Sequence, residues 1–189
     1  MSLVELADNR YTDKNTVHSY LPLYDELLKS RKDSAKNVIE IGVYAGGSIK
    51  LWNDYFTNAN VYGVDIENET RPFIANAIDI LSGCERVKLH LGTNAYSQNM
   101  IQHIGVQFDF VIDDGPHTLQ SMLDCISLYA PTLTEKGILI IEDVQDISWL
   151  NEMINHVPQE LATCVKTFDL RPNKNRYDDI VFVIDKSLL

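Results

Sequence analysis

Carboxylates gather at three points of this 189-residue chain: Asp65, the pair Asp113–Asp114 in DDGPH, and the pair Glu142–Asp143 in IEDV. Each follows a short apolar run, VYGV, FDFVI or ILII, of the kind that forms a buried strand. Open α/β sheets bind ligands at the carboxyl ends of their strands. If the runs before the second and third groups are neighbours in one sheet, Asp114, Glu142 and Asp143 converge there. Like charges at close range disfavour ionisation, and a hard divalent cation with oxygen ligands, Mg²⁺ being the natural choice, relieves the repulsion. Acids after strands also serve as helix N-caps, a role open to Asp113 and Asp143. His117 lies three residues past Asp114, and histidine as a residue type suits removal of a hydroxyl proton near neutral pH. A lone loop histidine is more often merely solvated. His18 competes as a substrate-positioning residue. His90, His103 and His156 fall on strand or helix positions without acidic companions and read as structural.

The stretch VIEIGVYAGGS, residues 38–48, supplies the second kind of chemistry. Val38 to Ile41 read as a buried strand broken only by Glu40. Gly42, Gly46 and Gly47 allow a tight turn, and Ser48 onward takes helical spacing through Ile49, Leu51, Trp52 and Tyr55. Val61 to Val64 form a second strand ending in Asp65, about 20 residues after the first glycine. Such a β-turn-α-β unit offers backbone N–H groups to one part of a nucleoside ligand and a carboxylate to its ribose. A dinucleotide fingerprint fails, because Tyr44 stands where the second glycine belongs. The P-loop pattern fails too, since no Gly-Lys-Ser/Thr follows. An ordinary packing turn is the plainer alternative.

The elements that must position these groups alternate along the chain. Helical spacing runs from about Val17 to Leu28, Arg71 to Leu81, Ala95 to Ile104, Thr118 to Tyr129 and Ile147 to Ile154. Strands are expected at Arg86–Leu91, Phe108–Ile112 and Gly137–Ile141, with Leu161–Asp169 and Ile180–Asp185 as a closing hairpin around the polar loop RPNKNRYDD. With the first two strands this makes seven. The alternation predicts an α/β, Rossmann-like, doubly wound and mostly parallel sheet with an antiparallel last strand. No internal repeat, low-complexity tract or second domain is visible.

Composition sets the outer bounds. The formal net charge of −11 disfavours a nucleic-acid backbone or an anionic membrane as partner. It suits a cationic cofactor, although acidity mostly serves solubility. Cys84, Cys125 and Cys164 form no CxxC and read as reduced residues. The start, MSLVELADNR, carries no basic-then-apolar signal, and no apolar run approaches membrane-spanning length, so a cytoplasmic location is the default expectation.

Taken together, E-x-G-x-x-x-G-G-S, DDGPH, IEDV and the TDK…HSYLPLY segment resemble the class I S-adenosylmethionine (SAM) methyltransferases of the mycinamicin-type sugar O-methylating kind, over roughly residues 10–145. The resemblance implies SAM and Mg²⁺ as cofactors and a hydroxyl of a small sugar or glycosylated molecule as acceptor. It places metal ligands at Asp114, Glu142 and Asp143, and the catalytic base at His117. SAM contacts would fall on Glu40, Gly42, Tyr44, Ser48 and Asp65, with Thr93 and Asn94 beside the adenine and Asp113 near the methionine part. Residues 1–189 would form one methyltransferase domain, with the helical segment 1–34 on the substrate side. The chain is short for the family, without an added N-terminal or lid domain, and has Pro116 where Ser is commoner; both bear on the acceptor. A homodimer stays open. Two rival readings are a metal-dependent enzyme of other chemistry, like hydroxylase-type relatives, and a SAM-binding module without catalysis.

Overall fold

The computed structural model describes residues 1–189. Seven strands, β1 (Asn37–Ile41), β2 (Asn60–Val64), β3 (Val87–His90), β4 (Phe108–Asp113), β5 (Leu133–Ile141), β6 (Val165–Asp169) and β7 (Ile180–Asp185), form one sheet in the order β3-β2-β1-β4-β5-β7-β6. The first five pair in parallel, and β7 runs antiparallel to both β5 and β6. The sheet class and its reversed final strand are those expected from the alternation of patterns.

The pleat explains why the central strands read as unbroken apolar runs. Ile39, Ile41, Val111, Leu139, Ile141 and Phe182 face one core of 25 buried apolar residues. Val38, Phe110, Ile112, Ile138, Ile140 and Val183 face another of 24. Near-equal cores mean that both faces of the sheet are covered, so neither can be polar. Seven helices supply the cover, α1 (Leu3–Leu6), α2 (Tyr20–Leu28), α3 (Gly47–Tyr55), α4 (Pro72–Leu81), α5 (Gln98–Ile104), α6 (Leu119–Tyr129) and α7 (Trp149–His156), while α8 (Arg171–Lys174) buries no residue. Pro72 opens α4 where its missing N–H costs nothing. Ser97 caps α5, and Thr118 caps α6 through a reciprocal pair with Ser121.

Several boundaries differ from the sequence expectation for local reasons. The helix expected from Val17 starts at Tyr20, because the Asp13 carbonyl takes the amides of Thr16, Val17 and His18 and folds that stretch into a turn. Strand β5 begins four residues early, at Leu133, across a register shift opposite Phe108–Phe110. Residues Gln159–Cys164 form a 3₁₀ turn rather than strand, and α1 and α8 are short helices too brief to show a periodicity. Arg31 closes the fold behind α2. Its Nε donates to the Lys136 carbonyl at 2.7 Å, and its Nη2 pairs with the Asp185 carboxylate at the end of β7.

Candidate active site

Strands β1, β4 and β5 end side by side, with Ile41 opposite Asp113 and Asp113 opposite Ile141. Two bonds extend this alignment into the loops: Asp114 N–H donates to the Ile41 carbonyl at 2.9 Å, and Glu142 N–H to the Asp113 carbonyl at 3.2 Å. Gly42, at φ +93°, sits so close to the Asp114 carbonyl that a Cβ would overlap it. Of the four non-glycine residues at positive φ, three lie at this edge: Tyr44, His117 and Asp143. Backbone held in that sparsely populated region tends to cluster at functional sites.

Asp114, His117 and Asp143 come together, one ligand atom of each lying within 4.8 Å of the others. His117 Nε2 stands 3.8 Å from Asp114 Oδ1 and 3.6 Å from Asp143 Oδ2. The other Asp143 oxygen accepts the Tyr20 hydroxyl. Burial, then the Asp114 charge, raises the Asp143 pKa. Glu142, expected in the same group, is absent from it. Its side chain is buried and turned inward, accepting from Tyr24 Oη at 2.6 Å and from Lys14 Nζ.

Lys14 places a positive charge of the chain's own beside these carboxylates. Its ammonium is 1% exposed, donates to Asp114 Oδ2 at 2.6 Å, and lies 3.6 Å from Glu40 Oε1. Burial works against its charge, but Asp114, Glu142 and Glu40 outweigh that and hold the pKa well above the usual lysine value. Glu142 is nonetheless pushed up, chiefly by burial and the Asp114 charge. The chain therefore carries part of the neutralising charge itself.

The remaining expected residues divide between buried struts and cavity walls. One cavity of about 810 Å³ is lined by residues of the 9–17 segment, the glycine turn, Ser48, Asp114, His117 and Asp143. A second, of about 600 Å³, lies over Asp65, Asn94, Tyr96 and Pro116. Gly42, Tyr44, Phe73, Asp114 and Gly115 belong to both. Glu40 lines neither: its carboxylate is fully buried, accepts from Trp52 Nε1 at 2.9 Å, and is pushed by burial up to about 7. Asp113 is likewise a strut. It accepts from Tyr96 Oη at 2.6 Å and from Gly115 N–H, and burial raises it to about 6. Asp65 ties the turn to β2, accepting from Val43 N–H at 2.8 Å and Tyr44 N–H at 3.2 Å. Thr93 bonds the Leu91 carbonyl and lines neither cavity. His18 is buried, with Nδ1 2.7 Å from Asp179 and 3.4 Å from Asp143. His156 bonds Ser127, and His90 stacks edge-on with His103.

Lys14, Tyr20, Tyr24 and Asp179 escaped the reading of the sequence as site residues. A signal for two of them was present: tyrosines four apart on a helix share a face, and both hydroxyls here reach the IEDV acids. Lys14 lay in the TDK…HSYLPLY segment that carried the resemblance, but its role was hidden because its partners lie 100 and 128 residues away.

Comparison with known proteins places this geometry. A family model described as a methyltransferase domain matches residues 39–144. An 8-demethyl-8-alpha-L-rhamnosyl tetracenomycin-C 2'-O-methyltransferase of Streptomyces olivaceus is 30% identical over 78% of this chain and 39% of its own length. The mycinamicin VI 2''-O-methyltransferase of Micromonospora griseorubida is 27% identical over 78% and 37%. This chain thus spans under two fifths of the length of those two relatives. Among solved structures, the MycE methyltransferase of the mycinamycin pathway, in complex with Mg and SAH, superposes with a TM-score of 0.72 at 21% identity, over 98% of this chain and 55% of that one. The O-methyltransferase TomG of Streptomyces achromogenes gives 0.64 at 15% identity, over 97% and 88%.

Proposed function

Since the chain belongs to the methyltransferase-domain family, we propose that it transfers a methyl group from SAM to a hydroxyl of a sugar or glycosylated small molecule, assisted by a divalent cation. The observation that carries this reading is the meeting of two cavities at Asp114 and Gly115, one over the Asp65 side and one against the Asp114–His117–Asp143 group. A donor and an acceptor placed in them would be held against each other across the shared wall. Both volumes suit small-molecule ligands. The sugar O-methyltransferases similar to this chain support the choice of acceptor.

The donor set fits a hard cation, since Mg²⁺ is commonly held through one or two carboxylates with its remaining positions filled by water and substrate. Asp114 and Asp143 would hold it, with Glu142 behind them. SAM supplies a methyl already activated on its sulfonium, and the cation a Lewis acid beside the acceptor hydroxyl. The rest falls to the chain. Tyr44 and Phe73 line the side of the junction between donor and acceptor, Asp65 fixes the turn beneath the donor, and His117 Nε2 takes the acceptor proton. The 1–34 segment would complete the acceptor side of a single methyltransferase domain spanning residues 1–189.

Labelled-methyl transfer from SAM to a panel of rhamnosylated and other glycosylated acceptors tests this directly. Wild-type protein should label an acceptor in an EDTA-sensitive way. His117→Ala should lose about 10²–10⁴-fold in turnover, and Asp114→Asn should lose it altogether, with S-adenosylhomocysteine (SAH) affinity within about threefold in both. Full turnover by Asp114→Asn would show that the acid group is not the reacting centre. Absence of SAM and SAH binding would return the glycine turn to a packing role.

A further inference from the structure

The wall of the larger cavity is built in part from residues 9–17, and one side chain of that stretch, Lys14, points away from the cavity and into the acids. Its Nζ bonds Asp114 Oδ2 and Glu142 and faces Glu40 Oε1, a buried oxygen with no hydrogen-bond donor of its own. Asp114 thereby has one oxygen committed inward, while Oδ1 is the one that faces His117. On the backbone side, the Tyr11 carbonyl rests on Gly47, and Lys174 Nζ holds the carbonyls of Asn15, Thr16 and His18. These contacts hold the flanks of the segment. Its middle is fastened to the sheet through the Lys14 side chain.

We propose that Lys14 is a positioning residue: one buried ammonium that aims Asp114 Oδ1 at the reacting side and, through the same contacts, fastens the acceptor-side wall to the acid group. The inference rests on the methyltransferase reading for its cation arm and is independent of it for its wall arm. Without the ammonium, Asp114, Glu142 and Glu40 repel one another with no cation among them. Asp114 then turns toward water, and the 9–17 wall loses its inner anchor. A lysine suits the task better than an arginine, because a compact head on a flexible stem reaches several carboxylates that a planar fork does not match.

The test is Lys14→Met in the whole protein, read by backbone hydrogen exchange and by calorimetric titration with Mg²⁺ and with SAH. The expected result is exchange at least tenfold faster across residues 9–17, a Mg²⁺ dissociation constant raised at least tenfold, and SAH affinity within threefold of wild type. That split between cation and cofactor separates positioning from general loosening of the fold. If Lys14→Met does not fold, the comparison moves to Glu40→Gln/Glu142→Gln protein with and without Lys14→Met, where the uncompensated charge is smaller. Parental exchange in residues 9–17, or parental Mg²⁺ affinity, overturns the proposal. Should wild-type protein bind neither SAH nor Mg²⁺, the methyltransferase reading fails, and the exchange arm alone decides whether Lys14 fastens the wall.

Discussion

Gly42 and Gly47 owe their identity to close approach by other segments as much as to turn geometry. A Cβ on Gly42 would overlap the Asp114 carbonyl, and one on Gly47 the carbonyl of Tyr11. Each glycine thus holds a wall of the site at contact distance from the turn. Gly47→Ala should cost at least about 2 kcal/mol, a fall of roughly 4–8 °C in thermal midpoint, because backbone rather than a flexible side-chain tip has to move. Tyr44 presents the opposite case. It stands at φ +44°, 68% exposed, stacked on Phe73 with ring centroids 5.0 Å apart. A side chain so placed contributes little to the core. Tyr44→Ala should therefore leave the thermal midpoint within about 2 °C while raising the SAH dissociation constant by roughly tenfold, about 1.4 kcal/mol. An unchanged dissociation constant would remove Tyr44 from the donor wall.

At the scale of elements, α6 shows how a helix start can serve a site. His117 takes φ +52° immediately before the Thr118 cap, so the cap fixes the point from which the imidazole projects. Thr118→Ala should cost about 1 kcal/mol of stability and lower the turnover number by more than it changes SAH affinity; equal losses in both would assign the cap to stability alone. The order of strands and helices was legible because both sheet faces are buried and the helices carry clear stripes. The acids at the ends of β2, β4 and β5 were legible because strand ends are readable. The division of labour among them was not. Whether Glu40 or Asp113 faces a cavity or a neighbour depends on Trp52 and Tyr96, and nothing in the local pattern reports those contacts. Glu142 and Asp143, adjacent at a strand end, point to opposite sides: Glu142 reaches Tyr24 and Lys14, and Asp143 faces His117.

The molecule as a whole carries an unusual charge balance in its interior. Glu40 and Asp113 are pushed up by burial to about 7 and about 6, and Glu142 and Asp143 are raised as well. In the unfolded chain such groups titrate near 4. Between those values the native state binds more protons than the unfolded one, so stability falls as pH rises. Their contribution is whole below about pH 4 and is lost progressively toward neutrality. Exposed carboxylates such as Asp8, held down to about 2 by Arg10, act below that window and are screened by solvent. Metal-free protein should accordingly melt at a lower temperature at pH 7.5 than at pH 5. Glu40→Gln should flatten that slope, and saturating Mg²⁺ should raise the midpoint at pH 7.5 more than at pH 5. A midpoint that climbs steadily from pH 5 to 7.5 without metal would contradict the burial of these acids.

The seventh strand has a bearing on synthesis. It lies inside the sheet, between β5 and β6, and residues at or near its two ends hold the early part of the chain: Asp179 takes His18 and Ser19, and Asp185 takes Arg31. Those early residues leave the ribosome well before their partners exist, by roughly 8 to 30 s at ordinary elongation rates. Until β7 is made, the 9–18 segment has no final seat, and β5 once synthesised has an open edge. Seating of the 9–18 segment is thus a late event, set by the translation of residues 178–185.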